Sequence, residues 1–331
     1  MKEKFVSLLE RYATTPEMAL SGIKEIYQTK EYNDDSATLT VFTCTYNRAD
    51  LIGKCYEALT KQTCDDFVWL VIDDGSTDNT GELVKGWIAE EKIPIKYVKQ
   101  ENRGMAGAHN TAHTLIRSEL TVACDSDDHL TYDAVETITS IWKEKRNEKY
   151  SGIIGHDATP DGKILAKIPD EFKETTLYDL RYRNGIYGDY KLVYRTDLLK
   201  KELYPMIEGE KYVAVGYKYF LMDRDYISII TQKVLCEVEY QPDSGTNNKI
   251  KQYVRAPKGF MYYRLKMMPR MHSFKRRWHE AVHYVSSAKI AKEKHYLKQS
   301  PCKLETVCAI PFGIALSFVI KRKYRKKYGN I

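Results

Sequence analysis

The chain has 331 residues, 43% of them hydrophobic and 12% aromatic, and carries a net charge of +7. That length and apolar content suit one large or two modest folded domains and exclude a disordered chain. Its seven cysteines include no CxxC pair, which argues for reduced thiols and against a disulfide frame or zinc site. The 26 tyrosines suit sugar- or base-facing surfaces, or equally half-buried packing. The positive surplus is concentrated in roughly the last 80 residues.

In chain order, residues 1–32 alternate apolar and charged positions at helical spacing, through Phe5, Leu8, Leu9, Tyr12, Met18, Ile23 and Ile26. They predict two short amphipathic helices. No apolar stretch there fits a signal peptide. A regular rhythm then begins. Strands are expected at Leu39–Cys44, Phe67–Ile72, Ile95–Lys99 and Leu120–Cys124. Helices are expected at Asp50–Thr60, Asp78–Glu91 and Gly104–Ser118. Such alternation means βαβ units and a parallel sheet. From Ser151 the pattern loosens. Strands are expected at Gly152–Gly155, Lys163–Ile168, Lys191–Tyr194, Tyr226–Ile230 and Val234–Val238, with helices at Thr176–Arg183 and Glu210–Met222. Beyond Asn247 the sequence reads as helical, roughly over 248–268, 272–298 and 303–320. The most apolar run, Val307–Ile320, is interrupted by Pro311 and Gly313 and is short for a membrane span.

Chemistry collects where the strands end. The fourth strand runs into Asp125-Ser126-Asp127-Asp128. In open α/β sheets ligands bind at that end, and crowded carboxylates raise one another's pKa. A divalent cation would relieve them. All-oxygen ligation suits Mg2+ or Mn2+, which typically takes one or two carboxylates and completes its shell with phosphate oxygens. The structural alternative is a solvated acidic turn before the next helix. The other strand ends carry Thr43-Cys44-Thr45-Tyr46-Asn47-Arg48, Asp73-Asp74-Gly75-Ser76-Thr77-Asp78 and Gln100-Glu101-Asn102-Arg103-Gly104. In a parallel sheet these ends share one edge. A cleft of carboxylates and helix N-termini complements a nucleoside diphosphate.

Together with Gln62-Thr63, these segments, in this order over residues 39–130, resemble the family 2 glycosyltransferases of the GT-A fold. Gly209-Glu210-Lys211-Tyr212 resembles a motif of that family's acceptor half. The resemblance implies an inverting transferase using a nucleotide-diphospho-sugar, a UDP-sugar first. Thr43, Thr45, Tyr46, Asn47, Arg48, Arg103, Asn110 and Ser126 would line the donor site. Asp74 would accept a hydrogen bond from the base. Asp125 would hold ribose or metal, and Asp127 would bind the Mn2+ or Mg2+ that bridges the phosphates. His109 stands where the family commonly has arginine; it either faces the phosphates or faces solvent. Inversion by single displacement needs a general base. The resemblance and the sequence both point to Glu210, with Glu208 as its neighbour, Gly209 as a turn and Glu210 opening a helix. A first-turn glutamate favoured by the helix dipole is the structural alternative.

One motif competes. His279-Glu280-Ala281-Val282-His283 fits HExxH, which places two imidazoles on one helical face with a glutamate as base for a zinc peptidase. Glu293, His295 and Glu305 are the third-ligand candidates. Basic flanks suit a packing helix instead, and a peptidase would leave the strand-end motifs without a purpose. A transferase-like binding module without catalysis is the third reading; the intact carboxylate cluster argues against it.

The expected architecture is α/β. A helical extension occupies 1–36. A GT-A domain with a mostly parallel sheet occupies 37–245, its nucleotide-sugar half 37–130 and its acceptor half 131–245. A helical, basic region follows at 246–331. The expected acceptor is a saccharide or lipid-linked saccharide, as in surface polysaccharide or glycolipid synthesis. No nucleic-acid partner is expected. The apolar 307–320 segment and the basic residues after it predict a cytoplasmic protein, peripheral at the anionic inner face of the cell membrane.

Overall fold

The computed structural model describes residues 6–239 and 249–329. These fall into two compact units. One is Thr15–Leu203 with the strand that follows Met222; the other is Tyr204–Leu221 with the residues up to Thr14 and the C-terminal helices. The boundary expected near 245 lies outside the described residues.

The first unit is built on four strands: β2 (Leu39–Thr45), β3 (Phe67–Asp73), β4 (Ile95–Gln100) and β5 (Leu120–Ala123). All are parallel, with Leu39 opposite both Phe67 and Leu120, Trp69 opposite Ile95, and Thr45 opposite Asp73. Parallel strands are covered on both faces and so read as continuous apolar runs. One face packs Leu39, Val41, Trp69 and Val71 under α3 (Gly53–Thr60), α4 (Thr80–Glu90) and α6 (Ala134–Lys145). The other packs Phe42, Leu70, Ile72 and Val98 under Ala108, Ala112 and Ile116 of and just beyond α5 (Gly104–Leu115).

The sheet continues as β9 (Tyr190–Arg195), β7 (Tyr150–Ala158), β10 (Ile227–Glu237) and β6 (His129–Leu130); β8 (Glu174–Thr175) also pairs with β10. β9 is antiparallel to β5 and β7, whereas β7 and β10 are parallel. The sheet is thus mixed and mostly parallel in its donor half, with helices on both faces.

Several expectations are corrected. Residues 23–28 are not helical: β1 (Ile23–Gln28) pairs antiparallel with β4. The three-residue spacing of Ile23 and Ile26 suggested a helix, but β4 offers a free edge whose backbone groups a strand satisfies. Two short helices do precede it, Leu8–Arg11 and Pro16–Leu20, opened by the side chains of Ser7 and Thr15. Lys163–Ile168 is loop, held by a single bridge from Ile164 to Ala158. Thr176–Arg183 contains one wide turn, Asp179–Arg183. The two strands expected around 226–238 are one bulged strand, β10.

The second unit contains α9 (Lys249–Arg255), α10 (Pro257–Met267), α11 (Phe274–Ala291), α12 (Tyr296–Gln299) and α13 (Lys303–Tyr328). α13 packs along α11 and runs past the expected end at 320. The HExxH residues lie on α11. Glu280 is buried and paired with the Arg264 guanidinium, so the carboxylate a peptidase needs as base is occupied. Glu305 accepts from Arg277 Nε at 2.5 Å, and Glu293 lies 3.8 Å from Arg11. Among the described residues no group of three or more His, Cys, Asp or Glu side chains converges to hold a metal. His279 and His283 meet at a tilt, with ring centroids 4.9 Å apart; His279 is exposed and His283 half-buried between helices.

Burial pulls the His283 imidazole down to about 4, and the charges of Arg264 and His279 add to this against Glu280. A histidine held neutral contributes stability that is present above the unfolded pKa near 6.5 and lost as pH falls through the folded one. His283→Gln should therefore lose less stability than wild type between about pH 6.5 and 4, by on the order of 2 kcal/mol across that window. Urea midpoints at successive pH values read the difference; parallel curves would refute it.

Candidate functional site

The in-register start of β2, β3 and β5 puts their C-terminal ends on one edge. There the loop after β2 is stitched to the loop after β3. Asn47 N–H donates to Ser76 Oγ (2.9 Å), Asn47 Oδ1 accepts from Thr77 N–H (2.8 Å) and Arg48 N–H donates to Thr80 Oγ1 (3.1 Å). Asn47 has φ +52°, a left-handed conformation that asparagine tolerates better than most residues. Among the expected donor residues, Tyr46 is exposed and Thr45 is buried. The Thr45 hydroxyl has no hydrogen-bond partner among the described residues. A buried hydroxyl without a partner is costly. Thr43 differs: its Oγ1 accepts from Trp69 Nε1 at 3.0 Å inside the core.

The two adjacent aspartates at the end of β3 have separate duties. Asp73 is fully buried and accepts from Ser76 N–H and Tyr97 O–H, both at 2.6 Å. Asp74 accepts from Gln100 Nε2 (2.7 Å), Arg103 N–H (2.8 Å) and Gly104 N–H (2.7 Å). Its negative charge thus sits at the start of α5, where the helix dipole favours it.

Arg103 contributes to this edge through its backbone. Its guanidinium instead donates to Met18 O (2.8 Å), Ala19 O (3.2 Å) and Ser21 Oγ (3.0 Å), fixing the turn into β1. His109 does not face solvent. It is buried on α5, edge-on to Phe42 at 5.0 Å and to His113 at 5.6 Å. Asn110 is buried on the same helix.

The carboxylate cluster follows β5. Asp125 to Asp128 form a turn closed by Asp128 N–H to Asp125 O (3.0 Å), with Ser126 buried. From behind, Cys55 Sγ donates to Asp125 O (3.2 Å) and Asp128 O (2.8 Å). Water reaches Asp125 while protein surrounds it, as on the floor of a cleft. That desolvation raises its carboxyl above the usual range; Asp127 and Asp189 add to the shift, and Lys191 and Arg48 oppose it. Burial pushes Asp128 up to about 7, with Asp125 and Asp127 adding to it against Lys191. Arg48 Nη1 lies 3.9 Å from Asp127 Oδ2. The Cys44 thiol is pushed well up by burial and then by the charges of Asp125 and Asp74.

Lys191 was invisible to sequence reasoning. It is buried on β9, 3.8 Å from Asp157 Oδ1, and its Nζ donates to Ala123 O at 3.3 Å. Burial works against its charge, but Asp157 and other neighbours outweigh that and hold the amine protonated. It became visible only when β9 was seen to pair with β5. Among the described residues no three His, Cys, Asp or Glu side chains converge on a metal here either; Asp125 and Asp127 are the two oxygen donors that a hard divalent cation would use if a diphosphate completed its shell.

In the second unit Glu210 does not open a helix. Gly209 turns with φ +77° and Ile207 bridges to Glu210, while the helix begins only at Tyr217. The Glu210 carboxylate accepts from the N–H groups of Lys258 (3.1 Å) and Gly259 (2.9 Å) at the start of α10. Burial raises its pKa, and these two bonds oppose the shift. Glu208 beside it is exposed.

Residues 40–202 match the family model Glycosyl transferase family 2. The chain is 26% identical over 179 residues to glycosyltransferase GlyG of Streptococcus pneumoniae serotype 4, covering 51% of this chain and 58% of that protein. It is 33% identical over 128 residues to a chondroitin synthase of Escherichia coli, covering 37% of this chain and 18% of the synthase. The chain therefore spans less than two thirds of either relative. TuaG of Bacillus subtilis (strain 168), assigned to teichuronic acid biosynthesis, is 25% identical over 244 residues, covering 72% of this chain and 92% of TuaG. Among solved structures, S. aureus TarS 1–349 in complex with UDP-GlcNAc superposes with a TM-score of 0.57 at 15% identity, over 87% of this chain and 92% of that one. The mannosyltransferase PcManGT from Pyrobaculum calidifontis, in complex with GDP-Man and Mn2+, gives 0.50 at 17% identity, over 90% and 92%. Motif order, family match and fold agree, and the chain is a family 2 glycosyltransferase of the GT-A fold.

Proposed function

We propose that the chain moves a sugar from a nucleotide-diphospho-sugar, a UDP-sugar first, to a hydroxyl of a saccharide or lipid-linked saccharide, with inversion and with Mn2+ or Mg2+ bound. The setting is surface polysaccharide or glycolipid synthesis at the cytoplasmic face of the membrane. The observation that carries this is the crowding of Asp125, Asp127 and Asp128 on the same sheet edge as the unpartnered Thr45 hydroxyl. Relatives assigned to polysaccharide synthesis and GT-A structures in complex with UDP-GlcNAc or GDP-Man support the same reading.

In this reading Asp125 and Asp127 hold the cation, which supplies Lewis-acid neutralisation of the diphosphate charge. Thr45 and Asn47 take the nucleoside, and Asp74 accepts a hydrogen bond from the base. Arg48, beside Asp127, adds positive charge near the phosphates. The acceptor oxygen bonds to the anomeric carbon as the bond to the diphosphate oxygen breaks. The bonding pair leaves with the diphosphate, and the hydroxyl proton passes to a carboxylate. Glu210 is that base, with Glu208 as its neighbour. Burial raises the Glu210 pKa, which suits proton transfer near neutral pH. The two backbone bonds that hold it leave other lone pairs open.

Thermal-shift measurement tests the donor. One UDP-sugar with Mn2+ should raise the melting temperature, because a ligand that binds only the native state stabilises it; EDTA should cancel the rise. Asp127→Ala should abolish turnover, and full turnover by that variant in EDTA would rule the metal role out. Glu210→Gln should keep the donor shift and lower turnover by about 10²–10⁴-fold. A near-normal Glu210→Gln beside an inactive Glu208→Gln would move the base to Glu208.

A further inference from the structure

α13 is built inside out. The side it turns to the rest of its unit carries Glu305, Thr306, Ala309, Gly313 and Ser317, all buried. Gly313 is there for close approach: a Cβ would stand 2.6 Å from Val285 Cβ on α11. The side it turns outward carries Leu304 (65% exposed), Val307 (50%), Phe312 (55%), Phe318 (69%) and Val319 (47%). Cys308, Pro311 and Ala315 lie on the same side and are exposed too. The spacing is that of one helical face, and from Leu304 to Val319 it contains no polar side chain other than the Cys308 thiol. At helical rise this stripe is roughly 22 Å long. A soluble helix puts its apolar face inward; here Ile320 and Tyr324 are buried near the C-terminal end, but between Leu304 and Val319 the bulkiest side chains are left outside.

Two further features say what covers the stripe. It runs directly into Arg322, Lys323 and Lys326 on the same face, all exposed. At its flank Phe274 is exposed, and Trp278 meets Phe312 edge-on at 5.2 Å. A row of aliphatic and phenyl groups bordered by an indole and continued by cations complements an anionic bilayer surface: acyl chains for the first, the headgroup boundary for the second, lipid charge for the third.

We infer that α13 is an in-plane lipid-binding helix, seated with its Leu304–Val319 face in the headgroup–acyl boundary of an anionic membrane. It lies in that boundary and does not cross the bilayer. By length and composition it could span, but 33% of its apolar stretch is buried within the fold. Arg277 also ties Glu305 to α11, and unsheathing that face would strip a buried ion pair. The inference concerns the helical unit alone and does not depend on the sugar-transfer reading.

Flotation of the full chain with vesicles tests it without any donor. The vesicles are phosphatidylcholine alone, or with about 30% phosphatidylglycerol to supply the surface charge. Wild type should float with the anionic vesicles and far less with the neutral ones. Phe312→Asp with Phe318→Asp, both on the exposed face, should lower binding at least about tenfold while circular dichroism stays unchanged. Arg322→Gln, Lys323→Gln and Lys326→Gln together should cost about fivefold per charge and leave the remainder insensitive to salt. A measurement on the unaltered side chains backs these up: brominated lipids should quench wild-type tryptophan fluorescence, and Trp278→Phe should remove most of that quenching. No flotation by wild type, equal flotation on neutral vesicles, or undiminished binding by the phenylalanine variant would overturn the proposal. So would a dimer that the phenylalanine variant breaks with no lipid binding by either form, since a second copy would then cover the face. Loss of transferase activity with vesicle binding intact would count against the functional reading alone.

Discussion

Negative charge does not collect at one edge of a sheet without something to hold it there. Here Asp74, Asp125, Asp127 and Asp128 lie on the edge set by the register of β2, β3 and β5. Each is balanced differently. Asp74 is neutralised by N–H dipoles at the start of α5. Asp127 has Arg48 at 3.9 Å. Asp125 feels the pull of Lys191 and Arg48, and Asp128 that of Lys191 with a hydrogen bond from Glu239 N–H (3.2 Å), but desolvation outweighs these and their carboxyls are raised. The gradation has chemical content. Asp74 is held by backbone N–H groups, while at Asp125 and Asp128 the nearby positive charge falls short of what desolvation costs their carboxylates. A ligand that brings a cation gains most where the protein has balanced least.

The buried Lys191–Asp157 pair fits the same logic. A lone buried ammonium would be expensive, and a pair in the interior is at best close to neutral in stability. Its placement at Ala123 O, two residues before Asp125, gives it another value. It holds the end of β5 from beneath and supplies a fixed positive field to the turn above. Cys55 does similar work with a neutral group, donating to the carbonyls of Asp125 and Asp128. The turn is thus pinned through its backbone; Asp128 is buried and accepts from Glu239 N–H, whereas Asp125 is exposed.

Much of this half was legible in the sequence because parallel strands are buried on both faces and announce themselves as apolar runs. Leu39–Thr45, Phe67–Asp73 and Leu120–Ala123 begin and end within a residue of expectation. What failed were elements whose state depends on a distant partner. Ile23–Gln28 has the spacing of a helix, yet it completes the open edge of β4. Residues 210–216 have helical composition, but the Glu210 carboxylate is drawn to the start of α10, some fifty residues away, and the chain turns instead. Lys191 is one lysine among many until the antiparallel pairing of β5 with β9 sets it beneath the cluster. Residue roles were harder than element positions. Asp73 and Asp74 are adjacent and chemically identical, and only the Tyr97 hydroxyl beneath one and the α5 N-terminus beside the other tell them apart.

The second unit shows the reverse situation, in which a short motif is locally complete and globally empty. HExxH needs its glutamate free and a third ligand near, and here an arginine sixteen positions upstream occupies the glutamate: Arg264 lies one helix earlier and takes Glu280 into a buried pair. A histidine whose charged form is disfavoured by that same arginine would ordinarily be a good metal ligand, since metals bind the neutral ring. What is missing is a converging third group, not basicity. Motif geometry along a helix is therefore necessary but insufficient, because the helix fixes only the spacing of its own side chains. The neighbours that α10 and α13 bring to α11 decide whether those side chains become ligands or packing. In this chain Glu280 joins two helices through its buried pair with Arg264, His283 is half-buried beside it, and His279 stays exposed.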